Sequence, residues 1–264
     1  MIKIIYEDEQ IIVVDKPAGM ESQSSRGFEA DVVSQLKNHL AAELSTKLST
    51  KRTKVRGQAC GKPGEDRGQT ANRRGQSGGL AAEPYVGVIH RLDKPVSGIM
   101  VYAKTPKAAA ALSQQVKSHG MEKIYRAVVC GQFVDNVGNY VDNLLKDVKT
   151  NCSSIAEPGN REGKRAELSY RVLGEARTDS GEILSLVEIS LKTGRHHQIR
   201  VQFAGHGHPL WGDSRYNPEK TGFSLALCAV SLTFTHPATG QRMTFVRDAG
   251  DGAFAMFSCG PDKL

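Results

Sequence analysis

The stretch His90-Arg91-Leu92-Asp93-Lys94-Pro95-Val96-Ser97-Gly98 sets one acid between two basic groups and then opens an apolar run from Gly98 to Lys104. Val86-Gly87-Val88-Ile89 leads into it, so Asp93 falls between the end of one strand and the start of the next. Pro95 keeps Lys94 away from helical backbone angles, which predicts a rigid, extended loop. Loops held on a scaffold of strands commonly carry functional groups. An Asp paired with Arg91 in an ordinary surface turn would satisfy the same spacing, so Asp93 gains weight only from the segments that accompany it.

Two such segments lie downstream. Lys123-Ile124-Tyr125-Arg126-Ala127 belongs to a strand over 124–129. There Tyr125 and Ile124 point to opposite faces, and Tyr125 is free to stack on a planar ligand or supply a hydroxyl. Thr193-Gly194-Arg195-His196-His197-Gln198-Ile199-Arg200 runs into a short helix predicted over 196–204. Ile199 and Phe203 then pack inward, while Arg200, His197 and Ala204 share an adjacent face. Arg200 projects toward a cleft, where a guanidinium can hold a carboxylate bidentately and keep it ionised.

The rest of the chain alternates strands with few helices. Strands are predicted at 2–6, 11–14, 98–104, 124–129, 164–173, 182–190, 224–234 and 243–246. Val32, Val33, Leu36 and Leu40 give 29–43 a helical stripe. Thr105 and Pro106 cap a second helix over 107–117. Pro17 and Gly19 end the strand at 11–14, and Pro237-Ala238-Thr239-Gly240 joins the last two strands. The pattern predicts an α+β fold, a mixed and largely antiparallel β-sheet core with peripheral helices and a central cleft. Residues 1–264 are expected to form a single catalytic domain.

The formal net charge is +7. Residues 44–80 hold nine Lys/Arg and two acids, so that segment carries the whole excess. It is rich in Gly, Gln and Ser and reads as a basic, flexible insertion. Concentrated positive charge favours a polyanion through counterion release; a solubilising loop is the plainer alternative. Five scattered cysteines, with Cys130 and Cys228 in apolar runs, show no metal-ligand spacing and suit a reducing, cytoplasmic setting. His206-Gly207-His208 is too local to make a metal site. Neither a signal-peptide core nor a membrane-length apolar run is present. Neither a metal nor a membrane partner is therefore expected.

Four segments give the chain a family likeness: Asp15-Lys16-Pro17-Ala18-Gly19-Met20, the His90 to Gly98 stretch, Lys123 to Ala127, and Thr193 to Arg200 with its continuation His208-Pro209-Leu210-Trp211-Gly212-Asp213 and Tyr216. With them the chain resembles the RNA pseudouridine synthases of the RluA type, from near Ile4 to about Phe245. The resemblance implies RNA as partner and isomerisation of a uridine to pseudouridine without a cofactor. It implies Asp93 as the essential acid, Tyr125 as the active-site tyrosine and Arg200 as the arginine paired with Asp93. Arg91 takes the place of the flipped base, and His90, Arg195 and His197 are expected on the RNA side. Leu92, Ile199 and Leu225 are expected to line the pocket. Asp93 would attack C1′, add to C6, or assist an elimination.

Glu21-Ser22-Gln23 departs from the more apolar stretch usual after the first motif. The chain is expected to lack the small S4-like domain of many relatives, to act as a monomer, and to take transfer RNA or large-subunit ribosomal RNA. The tail after Val246 departs from the usual Pro-containing ending and is expected either to fray or to pack differently. A non-catalytic RNA-binding module and a small-substrate glycosidase are the rivals; the second would call for paired acids, and only Asp93 stands out.

Overall fold

Short apolar runs of the kind seen at Ile11 to Val14 satisfy their backbone groups by pairing side by side, and here they assemble one sheet. The computed structural model describes residues 2–24, 30–56, 83–220, 222–250 and 252–257. Its strands are β1 (Lys3–Glu7), β2 (Ile11–Lys16), β3 (Gly87–Val88), β4 (Ser97–Ala103), β5 (Glu122–Cys130), β6 (Val137–Asp147), β7 (Cys152–Ile155), β8 (Lys164–Arg177), β9 (Ile183–Leu191), β10 (Leu227–Thr235) and β11 (Arg242–Val246). The order is β1-β2-β4-β10-β5-β9-β8-β6-β7, with β3 added to β4 and β11 to β10. The β4–β10 pair is parallel and its neighbours are antiparallel. This is the mixed, antiparallel-rich α+β fold expected from the strand pattern.

Among the described residues three α-helices lie against the sheet: α1 (Val32–Arg56), α2 (Pro106–Lys117) and α3 (Gln198–Gly205). Period-2 alternation divides β2 and β4 between two cores. On one face Ile12, Val14, Met100, Tyr125 and Ala127 meet Val32 and Leu36 of α1 and Ile199 and Phe203 of α3. On the other, Ile11, Val13, Ile99 and Val101 meet Ala108 and Leu112 of α2. Thr105 caps α2 as expected, its hydroxyl accepting from the Ala108 amide at 3.1 Å with Pro106 in the first turn. Among the described residues no helix is long and apolar enough to cross a membrane.

The structure changes several expectations. The helix predicted to end at residue 43 continues to Arg56, through a run that mixes Leu, Lys and Arg with Ser and Thr and has no periodic apolar stripe to announce it. Residues 57–80 of the expected insertion lie outside the described residues. β8 passes through Gly174, which pairs with Leu186; the register shift between Val172 and Gly174 leaves Leu173 as the extra residue of a bulge. β6 and β7 have no counterpart among the predicted strands; β6 packs only Tyr140 and Leu144, too sparse a pattern to read as alternation. The chain after Val246 packs: Phe254, in the 3-10 turn Gly252–Phe257, is buried with Trp211 and Val128.

Candidate active site

The parallel β4–β10 contact places the Asp93 loop over the middle of the sheet. Ser97 and Gly98 pair with Cys228 and Ala229. Gly98 has φ +133°, and a Cβ there would overlap the Ala229 carbonyl oxygen, so only glycine permits the approach. Upstream, the loop is a tight turn and not the extended segment predicted. The Val96 amide donates to the Asp93 carbonyl at 3.0 Å, so Pro95 stiffens a turn.

Both flanks of Asp93 are tied to the segment after β2. Ser22 Oγ accepts from the Leu92 amide at 3.0 Å and donates to the Leu92 carbonyl at 2.8 Å. The Lys94 carbonyl accepts from the Gly19 amide at 2.8 Å and from Lys16 Nζ at 3.2 Å. Lys16 is fully buried and also donates to the Pro17 and Met20 carbonyls. Burial lowers its pKa to about 8, against an opposing pull from Asp93. Leu92 is buried beneath this loop, and the Asp93 side chain is about a third exposed, at 32%.

Two cationic or donor groups meet that carboxylate. Arg200 Nη1 and His197 Nε2 both lie 3.6 Å from Asp93 Oδ2, beyond direct hydrogen-bond distance. Arg200 does hold a carboxylate bidentately, but it is that of Asp213. Nε reaches Oδ2 at 2.7 Å and Nη2 reaches Oδ1 at 2.6 Å, with both side chains buried. The expected pairing of Arg200 with Asp93 is present as an ion pair at 3.6 Å, while the bidentate grip goes to Asp213. Although burial opposes it, the Asp213 contact carries the Arg200 pKa above its usual value. The guanidinium also lies over the Tyr216 ring, 5.1 Å from its centroid.

His197 is buried, at the N-cap of α3 with φ +52°. Its Nδ1 meets Tyr216 Oη at 2.8 Å, and that oxygen accepts from the Ser153 amide of β7 at 2.8 Å. Desolvation depresses its pKa to about 4, so the ring is neutral at pH 7. Tyr125 is buried in the core beneath the cleft, and burial together with the Asp93 charge keeps its phenol protonated.

The remaining predicted positions are placed as follows. Ile199 is buried and Leu225 half-buried against the same core. Arg91 is exposed, close enough for its charge to act on His196. Arg195 is exposed and its Nε donates to the Arg165 carbonyl. His90 is half-buried: Nε2 accepts from the Val101 amide at 3.3 Å, and among the described residues its buried Nδ1 has no hydrogen-bond partner. His206 and His208 stack separately, on Tyr140 and Phe133. Glu7, His39 and Glu43 form a grouping with ligand-like spacing, but it belongs to β1 and α1, and Lys104 Nζ already sits 2.5 Å from Glu7.

A family model described as RNA pseudouridylate synthase matches residues 10–205. The chain belongs to that family. Over 255 residues it is 31% identical to the ribosomal large subunit pseudouridine synthase D of Zymomonas mobilis subsp. mobilis (strain ATCC 31821 / ZM4 / CP4), covering 92% of this chain and 68% of the relative. Over 259 residues it is 29% identical to the ribosomal large subunit pseudouridine synthase C of Escherichia coli (strain K12), covering 94% and 67%. The structure of human RNA pseudouridylate synthase domain containing 1 superposes with a TM-score of 0.67 at 18% identity, over 94% of this chain and 83% of that one. RNA pseudouridylation is the activity that family membership assigns. Lys16, Asp213 and Tyr216 stand in the segments that carry the family likeness, and Ser22 in the departure after the first of them, but the sequence assigned none of the four a role; Ser153 gave no signal at all.

Proposed function

We propose that this pseudouridine synthase converts a uridine of structured RNA to pseudouridine through Asp93, with the target base flipped from its stack. The observation that carries the reading is the single half-open carboxylate facing Arg200 and His197 at equal distance, while Asp213 takes the close contacts of Arg200. Among the described residues Asp93 is thereby left with no close partner, available to the sugar or base.

The reaction breaks the N1–C1′ bond, turns the uracil and forms C5–C1′; C5 loses a proton and N1 gains one, so atoms balance. Attack at C1′, addition at C6 and elimination all begin from an anionic Asp93. Tyr125, protonated and next to this charge, stacks on the uracil, while the proton lost from C5 leaves to water and N1 takes one up from water. Arg91 fills the space of the extruded base and offsets part of the unstacking cost. The two bacterial relatives are named for the ribosomal large subunit, which favours large-subunit ribosomal RNA over transfer RNA. The enzyme acts in the cytoplasm, as a monomer.

Tritium release from RNA labelled at uridine C5 tests the reading. The unmodified chain is expected to release tritium, and Asp93→Asn to fall by at least about 10³-fold, as when an essential group is removed. Release by Asp93→Asn at the normal rate would refute it.

A further inference from the structure

We infer that His197 is a positioning residue for Asp93, locked by Tyr216 and the Ser153 amide into the neutral tautomer that points an Nε2–H at the carboxylate. The inference rests on the reading that Asp93 carries the reaction. It reassigns His197 from the RNA surface to the inside of the site.

The hydrogen bonds decide the tautomer. Ser153 N–H has only donor character and ends on Tyr216 Oη at 2.8 Å. The one proton of that hydroxyl then points to His197 Nδ1, also 2.8 Å away. An acceptor Nδ1 in a neutral imidazole leaves the proton on Nε2. Nε2 is the atom 3.6 Å from Asp93 Oδ2. The reverse tautomer would set two N–H groups on one phenol oxygen and strand the phenol proton.

Burial keeps the ring neutral against the opposing pull of Asp93, which faces Nε2; the charges of Arg200 and Arg215 and the His196 ring act with the burial, and Tyr216 closes the Nδ1 side. His196 stacks on His197 at 3.8 Å, and its own Nδ1 is held by Ser153 Oγ at 2.9 Å. A second full positive charge beside Arg200 would be opposed by that guanidinium. A neutral N–H donor avoids the repulsion and still orients the acid. At 3.6 Å neither Arg200 nor His197 grips Asp93 tightly. Such contacts tighten once substrate excludes water.

The device links the reaction to β7, the edge strand farthest along the sheet from β4. Ser153 sets Tyr216, Tyr216 sets the His197 proton, and His197 sets Asp93.

Two measurements on the full chain test the inference, with Asp93→Asn as reference. First, nitrogen-15 spectra of histidine-labelled enzyme at pH 7 are expected to show His197 with Nδ1 unprotonated and Nε2 protonated, and Tyr216→Phe to give both tautomers. An Nδ1–H tautomer in the unaltered chain overturns the inference without need of any variant. Second, His197→Gln, which retains an amide donor near the Nε2 position, is expected to keep kcat within about threefold. His197→Leu is expected to lose roughly 10- to 100-fold in kcat, less than the ~10²–10³ for a close oxyanion donor, with KM for RNA unchanged. Equal kcat for the Gln and Leu variants, or a loss confined to KM, overturns it. Normal activity of Asp93→Asn would instead refute the Asp93 reading, whatever the histidine spectra show.

Discussion

Arg200 and Asp213 form the most tightly specified contact in the site, and its sign follows from burial. Removing one member of a buried ion pair strands the other charge, which costs about 3–5 kcal/mol. Asp213 also accepts from the Arg215 and Tyr216 amides, so its loss frees the loop that carries the Tyr216 ring. Asp213→Asn is therefore expected to lower the free energy of unfolding by about 3–5 kcal/mol in urea titration, and to reduce tritium release at temperatures where the variant is still folded. Arg200→Lys keeps the charge but cannot make the fork of two bonds, so it is expected to lose activity as well. A result in which Asp213→Asn is as stable as the parent chain would show that Arg200 finds a second carboxylate, and Asp93 is the one within reach.

At the scale of elements, the decisive contact is the close approach of β4 to β10. Gly98→Ala forces a side chain onto the Ala229 backbone at a φ that L-residues rarely adopt. It is expected to destabilise by about 2–4 kcal/mol, strain and overlap together. Gly159→Ala is the control: its φ is +88° but nothing lies within 4 Å, so it should cost only about 1 kcal/mol, checked by thermal unfolding of both variants. These elements were unequally legible. The Ile11 to Val14 run, the Thr105-Pro106 start of α2 and the Ile199/Phe203 stripe of α3 each follow a local rule, and each appears where the sequence places it. Asp93, Tyr125 and Arg200 were legible as residues, and the fold brings all three to one face. What was not legible depends on partners distant in sequence. Lys16 looks like a surface lysine until three carbonyls close around it. Ser153 lies on a four-residue edge strand, too short for any periodic signal. Asp213 competes with Asp93 for one guanidinium, and only the folded chain ranks two such acids.

The whole molecule joins a neutral catalytic body to one basic segment, and its response to salt and to pH follows from that division. Lys62, Arg67, Arg73 and Arg74 lie in the segment of net excess charge. Changing all four to Gln is expected to weaken RNA binding and flatten its salt dependence, by about 0.7–0.9 in the log–log slope for each phosphate no longer neutralised. An unchanged slope in filter binding would assign the segment no part in RNA affinity. The response to acid is set inside the body. His90 and His197 are held neutral by desolvation, His197 with a pKa of about 4. An unfolded imidazole titrates near about 6.5. Between those values the unfolded chain binds more protons than the folded one, so stability rises with pH through that window and is lost as pH falls from about 6.5 toward 4. Each such imidazole contributes a slope of up to about 1.4 kcal/mol per pH unit. Glu7 and Asp8, whose pKa values are lowered despite a desolvation penalty by Lys104 and His39 for the first and by the Ile11 and Gln10 amides for the second, act in the same direction at still lower pH. Lys16 and Lys123, both depressed to about 8 by burial, give a second rise between pH 8 and the unfolded lysine range. Urea midpoints measured from about pH 4 to 10 are expected to climb in both windows. His197→Gln should flatten the first climb and leave the second, while Lys123→Met should do the reverse. Identical profiles for the two variants would mean that neither buried base is neutral in the folded chain.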